Sequence, residues 1–333
     1  MQNILSKGCQ DVQQDTKLRV QASFLRSQLI LFNSRKKHGL LYSFATAAGL
    51  FCMPGILGMM DTETEIQLLI QRTILPPFIT LMIAVGMYIL NDVVDTDVDK
   101  ANSKNRPIPS GLVSKEQAWS FILLTNGAAV GMLVVTLDLA TIILVVPMIL
   151  IGILYSMPKK IALMNRFVLK SIAIALFYML CSMLGITSSY GIDLAINNPI
   201  VPIHTMTMSG IMIFVGSIVN DLGDTKGDKA AGRRTIPIVL GGEKTIKMLI
   251  ILLASMPAIS WMLYWTSVEH DTTRMMMTTP IAVTIVASLA LLRMTKIRKV
   301  FEDMELMRKQ HKKWFPLYMV LQSCLVVGAL LPL

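Results

Sequence analysis

A chain of 333 residues that is 53% hydrophobic and only 16% charged, with a mean hydropathy of +0.59, lacks the polar surface that a soluble protein of this size needs. The formal net charge of +10 raises nucleic acid as a partner. The cations lie between long apolar runs, however, which points instead to membrane topology and anionic lipid.

In chain order, residues 1–37 come first. They are too polar for a signal peptide. Leu18, Val20, Phe24, Leu25, Leu29, Leu31 and Phe32 recur there among Arg and Gln, which predicts a helix lying on the membrane surface. Residues 38–333 then hold nine apolar runs, at 39–60, 73–90, 118–136, 140–155, 168–190, 203–219, 246–265, 275–292 and 314–333. Each is near the roughly 20 residues that cross a bilayer core as a helix. Of the 31 Lys and Arg, only Arg72 and Arg274 fall in the gaps before runs two, four, six and eight. That asymmetry places the N-terminus in the cytoplasm and makes the chain an all-α polytopic membrane protein of nine spans. Cys9, Cys52, Cys181 and Cys324 show no ligand spacing. His38, His204, His270 and His311 are isolated and receive no role.

An internal repeat carries the chemistry. Residues 91–100 read NDVVDTDVDK and residues 220–229 read NDLGDTKGDK. Asn91/Asn220, Asp92/Asp221, Asp95/Asp224, Thr96/Thr225, Asp99/Asp228 and Lys100/Lys229 match without a gap. A basic-to-proline stretch follows each motif: Arg106-Pro-Ile-Pro after the first, and Arg234-Thr-Ile-Pro, one residue nearer its motif, after the second. The motifs close runs two and six, on the same cytoplasmic face. The first eight runs therefore divide into two pseudo-repeated halves.

Asn91, Asp95 and Asp99 stand at i, i+4 and i+8, as do Asn220, Asp224 and Asp228, so each set shares one helix face. Stacked carboxylates repel, and a divalent cation relieves the repulsion. Their hard oxygen donors suit Mg2+, which also takes phosphate oxygens as ligands. Two such stripes facing one cavity would bridge a diphosphate. Asp92 and Asp221 lie close to the same faces. Lys100, Lys104, Arg106, Lys229, Arg233 and Arg234 supply cations for the charge that builds on a leaving diphosphate, although many cations of this kind only set topology. Arg106 is the leading candidate and Arg234, its repeat partner, the next. Run four ends in Tyr155-Ser156-Met157-Pro158-Lys159-Lys160. Tyr155 reads either as a cavity residue that shields a carbocation or as an interfacial belt tyrosine. Arg35 reads either as a diphosphate contact or as a topology charge.

These motifs, together with NRPIPSG, DLGDTKGDKAAGRRTIPIVLG and YSMPKK, resemble the UbiA superfamily of intramembrane prenyltransferases. The resemblance implies a helical bundle around a central cavity open to lipid. In it Asn91, Asp95, Asp99, Asp221, Asp224 and Asp228 would hold magnesium and the diphosphate. Arg106, Tyr155, Ser156, Lys159 and Arg35 would line the site. It further implies transfer of a polyprenyl group, geranylgeranyl above all, from its diphosphate to a lipophilic acceptor. The wording is most similar to the branch that prenylates geranylgeranylglycerol phosphate. An aromatic acceptor of the quinone or tocopherol pathways and self-attack in a terpene cyclase are the alternatives within the fold. A transporter is a different class, and acidic groups gathered at one face rather than the midplane argue against it. The sequence departs from the family pattern at Gly216 and Asn220, where an Arg and a Lys are common, and in Arg35-Lys-Lys, which lacks an Arg-Pro. Both departures bear on the acceptor.

Overall fold

The computed structural model describes residues 23–52, 70–101, 106–136, 138–157, 163–270, 274–330. Among the described residues eight helices are long and apolar enough to cross a membrane, and they cover the runs from the second to the ninth, the last two in part. Part of the first run lies in α1 (Phe24–Gly49), and its remainder extends outside the described residues. The other long helices are α2 (Leu75–Val94), α4 (Lys115–Thr136), α5 (Leu139–Ser156), α6 (Phe167–Tyr190), α8 (Ile200–Ala230), α10 (Gly242–His270), α11 (Thr278–Val300) and α13 (Phe315–Leu330). Short helices α3 (Thr96–Ala101), α7 (Ile192–Asn197), α9 (Ile236–Leu240) and α12 (Met304–Lys312) join them.

Local chemistry sets several of the helix ends. Pro76 and Pro77 open α2, where a missing N–H costs nothing. Asp138 caps α5 through the Thr141 amide at 2.8 Å, and Asp303 caps α12 through the amides of Glu305 and Leu306. The segment from Phe24 differs from the sequence expectation. It is not a separate surface helix: α1 passes the 37/38 boundary without a break. Leu31 and Arg35 are buried, while Leu25 and Leu29 stay exposed.

The bundle closes as a ring. α1 packs on α2 and α6, α2 on α4, α6 on α5 and α8, α8 on α10, α10 on α11, and α11 on α13, which returns to α1. Gly49 and Gly185 make the α1–α6 crossing possible. A Cβ at Gly49 would meet the Ser182 carbonyl oxygen at 2.2 Å, and one at Gly185 the Thr46 carbonyl oxygen at 2.0 Å. Small residues at a crossing let backbones approach where no water drives association. Large apolar side chains such as Leu123, Ile143, Leu150, Ile251 and Leu292 point outward, as befits a lipid-facing surface. The chain is an integral membrane protein. A second apolar cluster links Leu31 of α1, Val85, Ile89 and Val93 of α2, and Phe121 of α4 to Ile108 and Val113. It anchors the turn that carries Arg106.

Candidate active site

The first motif spans the end of α2. That helix stops at Val94, Asp95 takes φ −87° and ψ 8°, and α3 begins at Thr96. The i→i−4 pattern still passes through the break, because Asp95 N–H donates to Asn91 O and Asp99 N–H to Asp95 O, both at 2.8 Å. The stripe therefore survives a kink that the sequence expectation of a continuing helix did not contain. The second motif lies wholly within α8.

Each aspartate that the two motifs share is met by a cation. Asp92, 1% exposed, accepts from Arg35 Nε at 2.7 Å and from Arg106 Nη1 at 2.8 Å. Arg106 also pairs with Asp99. Asp221, also 1% exposed, accepts from Lys170 Nζ at 2.5 Å, and Lys170 lies 3.7 Å from Asp228. Arg233 pairs with Asp95 and, at 3.3 Å, with Asp228. Arg308 of α12 reaches Asp224 at 3.2 Å. Arg233 thus ties the first motif directly to the second. Burial works against the Arg233 charge, but Asp95 and Asp228 outweigh it and hold its pKa above the ordinary arginine value. The carboxylate repulsion read from the sequence is already relieved by the protein's own cations.

The turn after α8 explains why Arg233 rather than Arg234 enters the cluster. Gly232 adopts φ +71°, its N–H donates to Lys229 O, and the Arg233 N–H donates to Asp228 O at 2.9 Å. This is a Schellman stop, in which only glycine avoids a Cβ penalty. It folds residue 233 back over the last helical turn. Arg234 is exposed, and its backbone bridges Arg166. Lys100 and Lys229 are exposed as well. Lys104 and Lys159 lie outside the described residues. Asn220 is half-buried one residue before Asp221. Sequence reasoning missed Lys170, counted only as a topology charge, and Arg308.

A partly open cavity starts beside the first motif, with Asn91 in its lining. Asn91, Tyr155 and Ser156 form its polar end, and Tyr42, Ala84, Met87, Tyr88, Ile151, Gly152, Ala173, Ile174 and Phe177 form its apolar walls. Tyr155 therefore faces the cavity, within electrostatic reach of Lys170, Asp221 and Arg233. At Gly216 a Cβ would fall 1.4 Å from the Tyr318 hydroxyl oxygen, so α13 fills the space beside this departure from the family pattern.

The donors suit a hard cation in kind. They are all oxygens, and Asn91 Oδ1, Asp228 Oδ2 and Ser156 Oγ are buried without hydrogen-bond partners. In number they are sparse, for no three His, Cys, Asp or Glu side chains converge among the described residues.

Comparison with known proteins bears on family and fold. Residues 51–307 match the UbiA prenyltransferase family. Digeranylgeranylglyceryl phosphate synthase of Methanoculleus marisnigri is 30% identical over 204 residues, covering 60% of this chain and 66% of the relative. The synthase of Sulfolobus acidocaldarius is 32% identical over 177 residues, covering 51% and 58%. The chain thus spans less than two thirds of the length of either relative. Among solved structures, a digeranylgeranylglyceryl phosphate synthase superposes with a TM-score of 0.64 at 19% identity, covering 92% of this chain and 98% of the other. A UbiA homologue of Archaeoglobus fulgidus bound to GPP and Mg2+ gives 0.59 at 16% identity, covering 90% and 99%. At these identities the structures speak for the fold. With a family match across most of its length and the fold to go with it, the chain belongs to the UbiA prenyltransferase family.

Proposed function

We propose that this protein transfers a polyprenyl group, geranylgeranyl above all, from its diphosphate to the hydroxyl of geranylgeranylglycerol phosphate, forming an ether lipid. One observation carries the reading. Two repeated aspartate motifs are joined by Arg233, and Asn91 of the first also lines an apolar cavity. Family membership and the curated relatives named digeranylgeranylglyceryl phosphate synthase support it. The solved Archaeoglobus fulgidus homologue with GPP and Mg2+ supports the donor class and the metal.

In this reading Asn91, Asp95, Asp99, Asp221, Asp224 and Asp228 hold magnesium, which when bound neutralises the diphosphate as it leaves. Arg35, Arg106, Lys170, Arg233 and Arg308 are the cations that this charge would meet once carboxylates turn from them to the metal. Asn91 and Ser156 orient the diphosphate end with their unpartnered oxygens, and Tyr155 shields the C1 carbon. Tyr88, Met87, Ile151 and Phe177 enclose the prenyl chain and keep water from the allylic cation. We place the site at the cytoplasmic face with the N-terminus on the same side, from the Lys and Arg asymmetry. The ninth span and the two related halves belong to the same proposal. The parallel packing of α1–α2–α4 and α6–α8–α10 supports the halves. We take the catalytic domain as residues 38–333 extended back to Phe24, since α1 delivers Arg35 to Asp92.

The test is product identification. Purified protein is incubated with labelled geranylgeranyl diphosphate, Mg2+ and a panel of geranylgeranylglycerol phosphate, an aromatic acid or no acceptor, and products are read by mass spectrometry. An ether lipid is expected. A prenylated aromatic or an acceptor-free hydrocarbon would replace this acceptor assignment, and no Mg2+-dependent diphosphate release would reject the whole reading.

A further inference from the structure

The cavity holds two sets of polar side chains. Asn91, Tyr155 and Ser156 form one, assigned above to the diphosphate end and C1. The other is the hydroxyl pair of Tyr42 and Tyr88, set among Ala84, Met87, Ile151 and Phe177. Their two oxygens lie 3.3 Å apart. On α2, Tyr88 stands one turn before Asn91, roughly 4.5 Å along the axis. An attacking oxygen must come within about 3–3.5 Å of C1. A C1 atom lying between the two sets is therefore within reach of an oxygen held at the second.

Packing holds both rings in place. Tyr42 meets Phe177 and Tyr178 edge-on, at centroid distances of 5.1 and 5.4 Å. Tyr88 packs against the His38 ring at 4.5 Å, and the Arg35 guanidinium lies 5.6 Å from its centroid. The hydrogen bonding of the pair is unfinished. When two phenols bond to each other, one donates and the other accepts. Among the described residues neither hydroxyl has a further side-chain or backbone partner. One O–H and several lone pairs are thus left over at an otherwise apolar wall. A ligand hydroxyl, donor and acceptor in one group, satisfies both. A hydrocarbon chain satisfies neither.

We propose that the Tyr42–Tyr88 hydroxyl pair holds the hydroxyl of the prenyl acceptor beside C1 of the donor, a role that rests on the prenyltransferase reading above. The acceptor O–H donates to a phenol oxygen, which turns a lone pair of the acceptor oxygen toward C1. The C1–O bond to diphosphate breaks with both electrons going to the departing oxygen. The lone pair forms the new bond to C1, and the hydroxyl proton leaves on the diphosphate. Both phenols keep their own protons and act by position. Where they do not hold the acceptor, water takes its place at C1, loses a proton to the diphosphate and gives the free prenyl alcohol.

The experiment compares wild type, Tyr42→Phe, Tyr88→Phe and the double variant, which keep both rings and lose only the hydroxyls. Each is given labelled geranylgeranyl diphosphate, Mg2+ and geranylgeranylglycerol phosphate. KM is measured for donor and acceptor separately, and the ratio of ether product to free prenyl alcohol is read by mass spectrometry. The double variant is expected to raise the acceptor KM about tenfold, the scale of one lost hydrogen bond, with the donor KM within about threefold of wild type. The share of alcohol should rise. Each single variant should show most of the double's effect, because the two hydroxyls act as a unit. Donor and acceptor KM rising together would mark the pair as part of the cavity wall and overturn the proposal. So would an acceptor KM within about threefold of wild type in the double variant, or an unchanged product ratio. Wild type forming no product on any acceptor would be a failure of the prenyltransferase assignment and would end this proposal with it.

Discussion

The two aspartate motifs read almost alike in sequence and are built differently. The first straddles a helix break at Asp95 and buries Asp92, Asp95 and Asp99 beneath Arg35 and the Arg106 turn. The second runs through an unbroken α8, and its Asp224 is half-buried with a partner borrowed from α12, outside the repeat. What they share is an arrangement of elements. A neighbouring helix sends one cation to the second residue of each motif, Arg35 of α1 to Asp92 and Lys170 of α6 to Asp221. The turn after each motif sends an arginine to its last aspartate, Arg106 to Asp99 and Arg233 to Asp228. The repeat preserves the source of charge while the residue type and register vary.

The sharpest way to break this parallel is to remove a buried partner from each half. Asp92→Ala strands Arg35, and Asp221→Ala combined with Asp228→Ala strands Lys170. An uncompensated buried charge costs about 3–5 kcal/mol, so both variants should lower the melting temperature in detergent by similar amounts. A large shift in only one would show that the halves are not equivalent.

Next in size is the link between halves. Arg233→Ala should reduce transfer by about 10²-fold, the scale of losing one positioned charge donor, and Arg234→Ala should leave the rate nearly unchanged. Kinetics of the two variants side by side decide whether the Schellman turn or the aligned Arg-X-Ile-Pro register selects the functional arginine.

A smaller effect is expected in the cavity. A Cβ at Gly152 would fall 2.0 Å from Met87 Sδ, so Gly152→Val pushes that flexible side chain into the space between α2 and α5. KM for a geranylgeranyl donor should rise about tenfold, the scale of one or two lost apolar contacts, and KM for a geranyl donor should rise less. Equal KM changes for both donors would remove the long chain from this part of the cavity. The smallest effect belongs to Arg308→Ala. Its ion pair to Asp224 has the arginine side chain 44% exposed, and such pairs contribute below about 1 kcal/mol to stability. A melting shift as large as that of Asp92→Ala would mean that α12 is a clamp on the second motif.

Much of this was legible from residue order alone. The apolar runs, the charge asymmetry and the matched motifs all follow from spacing and sign, whereas Arg35 read either as a diphosphate contact or as a topology charge. Lys170 was legible in principle, because a lysine in the first turn of a span is costly unless paired, but within the topology count it looked like one more cytoplasmic cation. Arg233 was also within reach, since Gly232 two residues past the end of α8 signals a turn that folds the next residue back. Asp95 gave no warning of the helix break. Nor did Arg308, which reaches Asp224 across 84 residues of sequence because α12 packs on α8. Contacts of that kind follow from ring closure, which no local pattern encodes.

The central claim is that the two stripes together hold a magnesium diphosphate. Binding of a non-hydrolysable geranylgeranyl diphosphate analogue, measured with and without Mg2+ in wild type, Asp95→Asn, Asp224→Asn and the double variant, tests it most directly. Binding should require the metal, weaken at least about tenfold when either motif is neutralised, and disappear in the double variant. Undiminished binding by the double variant, or in excess chelator, would contradict the account.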